Sequence, residues 1–317
     1  MTGPVDIDFI LSNQKTLLAE LKSRQAIARD YVRGVAYQYA TGLYLFGRPG
    51  TAKTHTVRSV LENEVRVPYV YQRGYITPLG LFELIRENGD AVIVLDDVGG
   101  IFRSDIALQV LLAALEPPKA TSRARVVKYR RQGKEDRCDF TGGIICISNR
   151  ELHSDELLAA FKSRVRTLNY DPSDAHLGAL MLGLASLGWP LDSDLRTIDP
   201  DRAREVACHL MRELLRLGCR FDLRLLVDKA LPDYQQWKDG ATESDWRDLI
   251  TASIEEHLSG ARPCEPAAGR EQTKLGEHEI VRQILGKHQS REARIREWVE
   301  RTGKSERAFY RRFAEVH

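Results

Sequence analysis

Short apolar runs alternate with amphipathic stretches in the first half of the chain. The runs at residues 43–46, 91–95 and 144–147 are almost uninterrupted and contain β-branched or aromatic side chains. Such runs are typical of parallel strands that are covered on both faces. Between them, residues 54–61 and 77–88 carry apolar side chains at helical spacing. The alternation predicts an α/β fold with a parallel sheet and helices on both of its faces.

A glycine-bearing turn joins the first apolar run to the first predicted helix. It follows the phosphate-loop pattern G-x-x-x-x-G-K-[ST], with alanine in place of the second glycine. Backbone N–H groups of such a turn form an anion nest at the start of the helix. The lysine reaches the terminal phosphates and the hydroxyl ligates Mg²⁺. The sequence therefore predicts a P-loop NTPase that binds ATP and Mg²⁺ through Gly47, Pro49, Gly50, Thr51, Ala52, Lys53 and Thr54.

Ala52 is the one departure from that pattern. Alanine is excluded only where φ must be positive or where another backbone comes very close. Its methyl group is the smallest possible intrusion, so we expect a working loop. The loop resembles those of the minichromosome-maintenance helicases and the MoxR-type ATPases, which have alanine at this place.

Polar residues follow the second and third apolar runs. Asp96 and Asp97 come directly after the run at 91–95, and Asn149 follows the run at 144–147. Ligands of open α/β sheets lie at the carboxyl ends of the strands, so these side chains are expected beside the phosphate loop. Asp96 would hold Mg²⁺, Asp97 would orient or deprotonate the attacking water, and Asn149 would hold that water near the γ-phosphate.

The order of these motifs resembles that of the AAA+ ATPases: a phosphate loop, an acidic Walker B strand end and a sensor-1 asparagine. Residues 157–164 end in Ser-Arg and are similar to the Ser-Arg motif of that superfamily. The resemblance implies that Arg164 reaches the γ-phosphate bound by a neighbouring subunit, so that the protein is a homo-oligomer. It also implies a helical lid over residues 171–258. There Arg224 has the sensor-2 role, with Arg220 as the alternative.

The resemblance covers residues 35–240 and is nearest in character to AAA+ proteins carried by phages, plasmids and transposons. Those proteins load helicases or organise DNA. Asp97 departs from the family pattern, in which glutamate is commoner. The resemblance implies an ATP hydrolase that acts on DNA, with a helicase-loader-like or DNA-organising role in a mobile element or in replication.

Two regions are candidates for contact with DNA. The stretch between Lys119 and Arg137 holds eight basic and two acidic residues around a predicted strand at 126–129 and a turn at 132–134. Such a hairpin either faces nucleic-acid phosphates or is a solvated surface ribbon. Residues 275–317 form either a helix-turn-helix-like module or a charged tail for oligomer contacts. The final helix of this module would present Lys304, Arg307, Arg311 and Arg312.

These patterns divide the chain into five segments. Residues 1–34 form a helical segment that packs on the nucleotide domain or serves as a partner-binding arm. The AAA+ nucleotide-binding α/β domain spans 35–170 and the helical lid spans 171–258. A linker rich in Gly, Pro and Ala covers 259–274, before the helix-turn-helix-like module at 275–317.

Four helices are predicted in the lid. They cover residues 176–187, 201–217, 221–231 and 241–258. The third is expected to end before Pro232, because a proline inside a helix removes a hydrogen bond and clashes with the preceding turn.

Composition limits the classes of partner and the cellular location that we expect for the protein. The 317 residues carry a net charge of +2, so any basic surface is local. The five cysteines show no C-x-x-C spacing, which disfavours a zinc site and is typical of reduced thiols. No apolar run reaches the length of a membrane span and no secretory N-terminus is visible. We expect a cytoplasmic protein without a membrane contact.

Two other functions stay open. A protein-remodelling ATPase would bind a protein client, and Tyr75 and Ile76, after the strand predicted at 67–71, would act as pore-loop residues. An ATP-switched DNA-binding regulator would bind ATP with little turnover. Ala52 and Asp97 leave room for that function, because both depart from the usual pattern.

Overall fold

The computed structural model describes residues 6–118, 122–131, 134–152, 156–190, 197–261, 280–288, 290–302, 305–306, 309–310 and 313. The chain divides into two compact units, Met1–Ile254 and Glu255–His317. Some residues singled out above lie outside the described residues. These are Lys119, residues 132–133 of the predicted turn, residues 262–274 of the predicted linker, and Lys304, Arg307, Arg311 and Arg312.

A five-stranded parallel sheet is the centre of the larger unit. The strands of this unit are β1 (Gly42–Phe46), β2 (Tyr69–Arg73), β3 (Val92–Asp96), β4 (Arg125–Arg131), β5 (Lys134–Phe140), β6 (Gly143–Ser148) and β7 (Arg166–Asn169). The sheet has the order β2-β3-β6-β1-β7, and β4 and β5 form a separate hairpin. β6 therefore lies between the strand that precedes the phosphate loop and the strand that ends in Asp96.

Helices cover both faces of this sheet. The helices described up to residue 261 are α1 (Ile7–Ala36), α2 (Lys53–Asn63), α3 (Pro78–Glu87), α4 (Asp105–Ala114), α5 (Glu156–Arg164), α6 (Asp174–Ala185), α7 (Pro200–Arg216), α8 (Leu231–Lys238) and α9 (Trp246–Ala261). The side chains of β1 alternate between the two faces. Leu45 joins the core formed with α1 and α2, whereas Tyr44 joins the core formed with α3, α4 and α5. The predicted α/β class, with a parallel sheet between two helical layers, is confirmed.

Polar side chains fix the starts of several helices. Thr77, Ser104, Ser173 and Asp199 each accept a hydrogen bond from the backbone N–H three residues further on. An N-cap of this kind contributes about 1 kcal/mol to the stability of its helix. The caps explain why α3, α4, α6 and α7 begin at fixed residues after irregular connections.

The basic stretch forms the antiparallel hairpin β4–β5. Val127 and Tyr129 belong to the core with α3 and α4. On the outer face, Glu135 accepts hydrogen bonds from Lys128 at 2.9 Å and from Arg130 at 3.1 Å. The cationic character of this surface is therefore lower than the sequence count suggests, because two of its basic side chains share one carboxylate.

The helical region after β7 differs from expectation around Pro232. The helix does not end there: a π-helical turn at Leu225–Ala230 leads directly into α8, with the proline in the first turn of α8. A proline is tolerated in the first turn because the N–H groups there lack intrahelical acceptors. The π turn separates the two hydrogen-bond ladders, so the proline removes little from either.

The smaller unit has its own hydrophobic core. Residues 280–287 and Arg291–Thr302 are helical. Trp298 is fully buried against Val281, Ile284 and Phe309. The Trp298 indole N–H donates to the carbonyl of Ser305 at 3.3 Å, which ties the end of this helix to the next segment.

The sequence indicated the first helix but missed one strand. Strand β7 was missed, because its four residues Arg166–Asn169 are mostly exposed and mostly polar. The first helix is one continuous element of 30 residues, and the buried side chains between Ala28 and Ala36 pack in the core with α2 and the sheet. None of the described helices combines the length and apolar character needed to cross a membrane.

Candidate nucleotide-binding site

The loop between β1 and α2 presents its backbone N–H groups without acceptors. Within the described part of the chain, the N–H groups of residues 50–54 donate to no oxygen. They lie at the N-terminus of α2, where the helix dipole favours an anion. Gly47 shapes the start of this turn, with φ +153° and a position at which a Cβ atom would lie 2.1 Å from the carbonyl oxygen of Tyr170. The loop therefore has the geometry of an anion nest.

Lys53 is held inside the loop by carbonyl oxygens. Its Nζ donates to the carbonyl of Gly47 at 2.8 Å, to that of Arg48 at 2.6 Å and to Asn149 Oδ1 at 3.2 Å. Burial is the main reason that the pKa of Lys53 is lowered to about 8; the Asp97 carboxylate opposes this shift and Arg224 adds to it. The loop thus contains a desolvated cation that nearby carboxylates do not fully compensate, and such a site attracts phosphate.

Thr54 and Asp96 form an oxygen-rich corner beside this lysine. The Thr54 hydroxyl lies 3.2 and 3.3 Å from the two carboxylate oxygens of Asp96. A hydroxyl and a carboxylate are the hard oxygen ligands that Mg²⁺ prefers, so the residues present fit this ion. Arg73, at the exposed end of β2, forms an ion pair with Asp96: its Nε lies 2.9 Å from Asp96 Oδ2. The sequence alone did not indicate this arginine.

Asp97 and Asn149 face each other across the ends of β3 and β6. The Asn149 amide nitrogen donates to both Asp97 oxygens, at 3.0 and 3.1 Å. The backbone N–H of Asp97 donates to the carbonyl of Ile147, with φ +56° at Asp97. Asn149 therefore connects the Lys53 ammonium on one side to the Asp97 carboxylate on the other. The structure brings these residues together at one edge of the sheet.

A single cavity of about 500 Å³ joins these groups. Its wall includes the polar and charged side chains of Lys53, Thr54, Asp96, Asp97 and Asn149, together with Arg224. Apolar side chains of the helical region also line it: Leu180, Leu184, Leu223 and Val227. Gln25 and Arg29 of α1 belong to the same lining. The cavity therefore combines charged and apolar surface.

The segment before Arg224 contacts the phosphate loop directly. The Leu223 N–H donates to the carbonyl of Gly50 at 3.0 Å. Gly50 has φ +67°, and a Cβ atom there would lie 1.7 Å from Asp222 Oδ1. The glycine is required by this approach of the buried Asp222 carboxylate as well as by its own φ. The loop and the segment 220–224 are therefore packed together.

Arg164 lies at the opposite end of the sheet. Its carbonyl accepts a hydrogen bond from Thr41, the residue before β1, at 3.1 Å. The phosphate loop follows the other end of β1, whose five residues span about 17 Å. The Arg164 guanidinium contacts Ala160 and Glu116 of its own surroundings. It cannot act in the cavity of its own chain.

The residues that the sequence did not indicate belong mostly to packing faces. The side chains of α1 and α6 that reach the cavity repeat at helical spacing with residues that only fill the core, so no pattern distinguishes the two groups. Arg220, the alternative to Arg224, is absent from the cavity wall and pairs with Asp174 at 2.7 Å. Within the described residues, no group of three His, Cys, Asp or Glu side chains forms a metal cluster.

Comparisons with known proteins give similarities to solved structures only. No protein-family model matches the chain, and no curated protein matches it in sequence. Among solved structures, the chain is similar to that of PCH-2 from C. elegans, at 16% identity and a TM-score of 0.36. The similarity covers 78% of this chain and 69% of that one.

Ala52 has a left-handed conformation, with φ +66° and ψ +22°. This position is therefore one that favours glycine, and the alanine is accommodated with strain. A left-handed L-residue costs about 1–2 kcal/mol. The sequence did not indicate this cost at Ala52, and the loop still adopts the nest conformation.

We expect Ala52→Gly to raise the free energy of unfolding by about 0.5–1 kcal/mol, because relief of the strain exceeds the entropy that glycine adds to the unfolded chain. Urea unfolding monitored by circular dichroism measures this change. The matched control Ala113→Gly, inside α4, should lower the same quantity by about 1 kcal/mol. A destabilised Ala52→Gly variant would contradict the assignment of strain.

Proposed function

We propose that this chain is an AAA+ ATPase that binds and hydrolyses MgATP. The observation that carries the proposal is the convergence of Lys53, Thr54, Asp96, Asp97 and Asn149 on one cavity, next to unpaired loop N–H groups. Phosphoryl transfer requires this set: anion donors, a cation, oxygen ligands for a metal and a group that orients water. The sheet order supports it, because it places the three strand ends side by side.

The lining of the cavity suits a nucleoside triphosphate. The N–H groups of residues 50–54 and Lys53 would bind the phosphates. The base would pack against apolar side chains such as Leu180, Leu184 and Val227. Aromatic bases are bound by apolar walls with a few polar groups at the edge, and Gln25 supplies such a group.

Hydrolysis in this site follows from the positions of the polar side chains. A water held by Asp97 and Asn149 attacks the γ-phosphorus and gives its proton to the Asp97 carboxylate. The bond between the γ-phosphorus and the β–γ bridging oxygen breaks, and ADP and inorganic phosphate are released. Thr54 and Asp96 would hold Mg²⁺, which supplies charge neutralisation at the phosphates. Lys53 and Arg224 stabilise the remaining negative charge.

The position of Arg164 supports hydrolysis between subunits. An arginine at the far end of β1 reaches a phosphate only in another copy of the chain. Copies would then associate head to tail, with the cavity of one against the Arg164 end of the next. The groove around Arg164, lined by Tyr39, Pro117 and Pro118, would lie in that contact.

The same proposal extends to action on DNA, in a helicase-loader-like or DNA-organising role. Lys128 and Arg137 are paired in register on the outer face of β4–β5 and are exposed. Cations placed this way suit the phosphates of a nucleic acid. The pairing of Lys128 and Arg130 with Glu135 limits this support.

Tyr75 favours a second candidate function, the remodelling of a protein client. It lies in the loop after β2 with 81% of its surface exposed, next to Gly100. A large exposed aromatic at the edge of the sheet is suited to gripping an extended polypeptide. In that function, the smaller unit would bind the client.

We expect Asp97→Asn to lower the kcat for ATP by about 10²–10⁴-fold and to change the Kd for ATP little, because it removes only the water-orienting base.

Lys53→Ala should weaken ATP binding by at least about tenfold, since a charge-assisted contact is lost. Phosphate release and binding of a fluorescent ATP analogue measure the two effects. Asp90→Asn, an exposed carboxylate before β3, serves as the control. Failure of the unmodified chain to bind ATP would overturn the proposal, whereas binding without turnover would favour a nucleotide-switched regulator.

Arg164→Ala should abolish most ATP turnover, by about 10³-fold or more, without loss of ATP binding. An equimolar mixture of Arg164→Ala and Asp97→Asn chains should regain activity, because an intact Asp97 site can then meet an intact Arg164. Arg212→Ala, on the exposed face of α7, should behave like the unmodified protein. Activity of Arg164→Ala that equals that of the unmodified protein would contradict action between subunits.

DNA and protein clients are distinguished by what stimulates turnover. If the chain acts on DNA, single- or double-stranded DNA should raise kcat several-fold, and Lys128→Glu should weaken the effect together with its salt dependence. Tyr75→Ala should leave the DNA effect unchanged. Indifference to DNA, combined with Tyr75-dependent stimulation by an unfolded protein, would favour the remodelling function.

A further inference from the structure

Arg48, in the phosphate loop, points none of its donors into the cavity. Its side chain is 16% exposed and is absent from the cavity wall. The guanidinium binds three acceptors at the start of the helical region. Nε donates to Asp171 at 2.6 Å, Nη1 to Asp174 at 2.6 Å and Nη2 to the carbonyl of Pro172 at 2.5 Å. A planar fork bound at three points fixes both position and orientation.

Asp174 also binds the segment that precedes Arg224. Its Oδ2 accepts a hydrogen bond from Arg220 Nε at 2.7 Å, and its Oδ1 accepts one from the Phe221 N–H at 3.2 Å. One carboxylate therefore connects the phosphate loop to residues 220–221. We call the set of Arg48, Asp171, Pro172, Asp174 and Arg220 the Arg48 clamp.

The backbone of Arg48 acts on the other side of the loop. Its carbonyl accepts hydrogen bonds from Lys53 Nζ at 2.6 Å and from the Thr51 hydroxyl at 3.1 Å. The residue whose side chain is bound to the helical region thus orients the ammonium that faces the cavity. Two residues further on, Gly50 contacts Asp222 and Leu223. The loop meets the segment 220–223 at two separate points.

We propose that Arg48 is a positioning residue: through the Arg48 clamp it couples Lys53 in the phosphate loop to Arg224 in the helical region. This inference rests on the ATPase function proposed above. A displacement of the loop by a bound phosphate is transmitted through Asp174 to residues 220–223, and from there to Arg224. Arg48 itself touches neither substrate nor metal.

A purely structural ion pair would stabilise the fold without linking these two cations. The difference appears in a double-mutant cycle, because Arg48 and Arg224 share no contact. Residues without a shared contact normally have additive effects, whereas coupled residues deviate from additivity. The cycle uses Arg48→Gln, Arg224→Gln and the double variant, and it measures the Kd for MgATP. We expect the double variant to bind at least about fivefold tighter than additivity predicts.

Hydrogen exchange on the nucleotide-free protein tests the clamp independently of ATP. In Arg48→Gln, the N–H groups of Phe221 and Leu223 should exchange at least about tenfold faster, because their acceptors are no longer held in place. The matched control is Arg58→Gln, which breaks a half-exposed ion pair with Glu62 at 3.4 Å on the neighbouring helix α2. It should change neither the exchange nor the Kd for MgATP.

Each outcome decides a separate point. Additive effects on the Kd, or unchanged exchange at residues 221 and 223, would overturn the role of Arg48. If the unmodified chain does not bind MgATP, the proposed ATPase function fails, while the exchange measurement still decides whether the clamp holds the segment. If Arg48→Gln does not fold, Asp171→Asn replaces it in both measurements. That variant removes the charge of one of the three acceptors of Arg48, and the same two results are expected in a smaller degree.

Discussion

The structure depends on keeping a charged ammonium inside a turn that has no carboxylate of its own. Lys53 is satisfied by two carbonyl oxygens of the loop and by the amide oxygen of Asn149, the residue after β6. Carbonyl dipoles satisfy its hydrogen bonds without cancelling its charge, which is why burial lowers its pKa. The loop therefore keeps a shape that exposes N–H groups to an anion. Contacts from neighbouring elements hold the loop in that shape.

That support comes from three directions. β6 places Asn149 between the lysine and Asp97, and its central position in the sheet makes this contact possible. The helical region contacts the loop through Arg48 and Gly50. The helix α1 contributes Gln25 and Arg29 to the lining of the cavity. A loop with a strained alanine at its centre is retained because its neighbours fix its conformation.

The sequence was most informative where chemistry and backbone geometry coincide. The phosphate loop and the strand ends at Asp96, Asp97 and Asn149 have fixed spacing, so their convergence was predictable from residue types alone. Strand β7 was not predictable, since exposed polar residues form it only because β1 offers a free edge. Arg73 and Asp222 were equally hidden, because their contacts with Asp96 and Gly50 join segments distant in the chain. The prediction that the helix ends before Pro232 was wrong for another reason: the π turn at Leu225–Ala230 makes Pro232 part of the first turn of a new helix, where proline is tolerated.

The π turn at Leu225–Ala230 also separates residues that line the cavity from residues that pack on α9. Leu223 and Arg224, before the turn, and Val227, inside it, line the cavity. Downstream, Tyr234 of α8 packs edge-to-face on Trp246 of α9. Because a π turn holds one residue more than an α turn, it resets the angular phase between the two stretches. The aromatic contact between α8 and α9 therefore belongs to a stretch whose helical phase is offset from that of the residues that line the cavity.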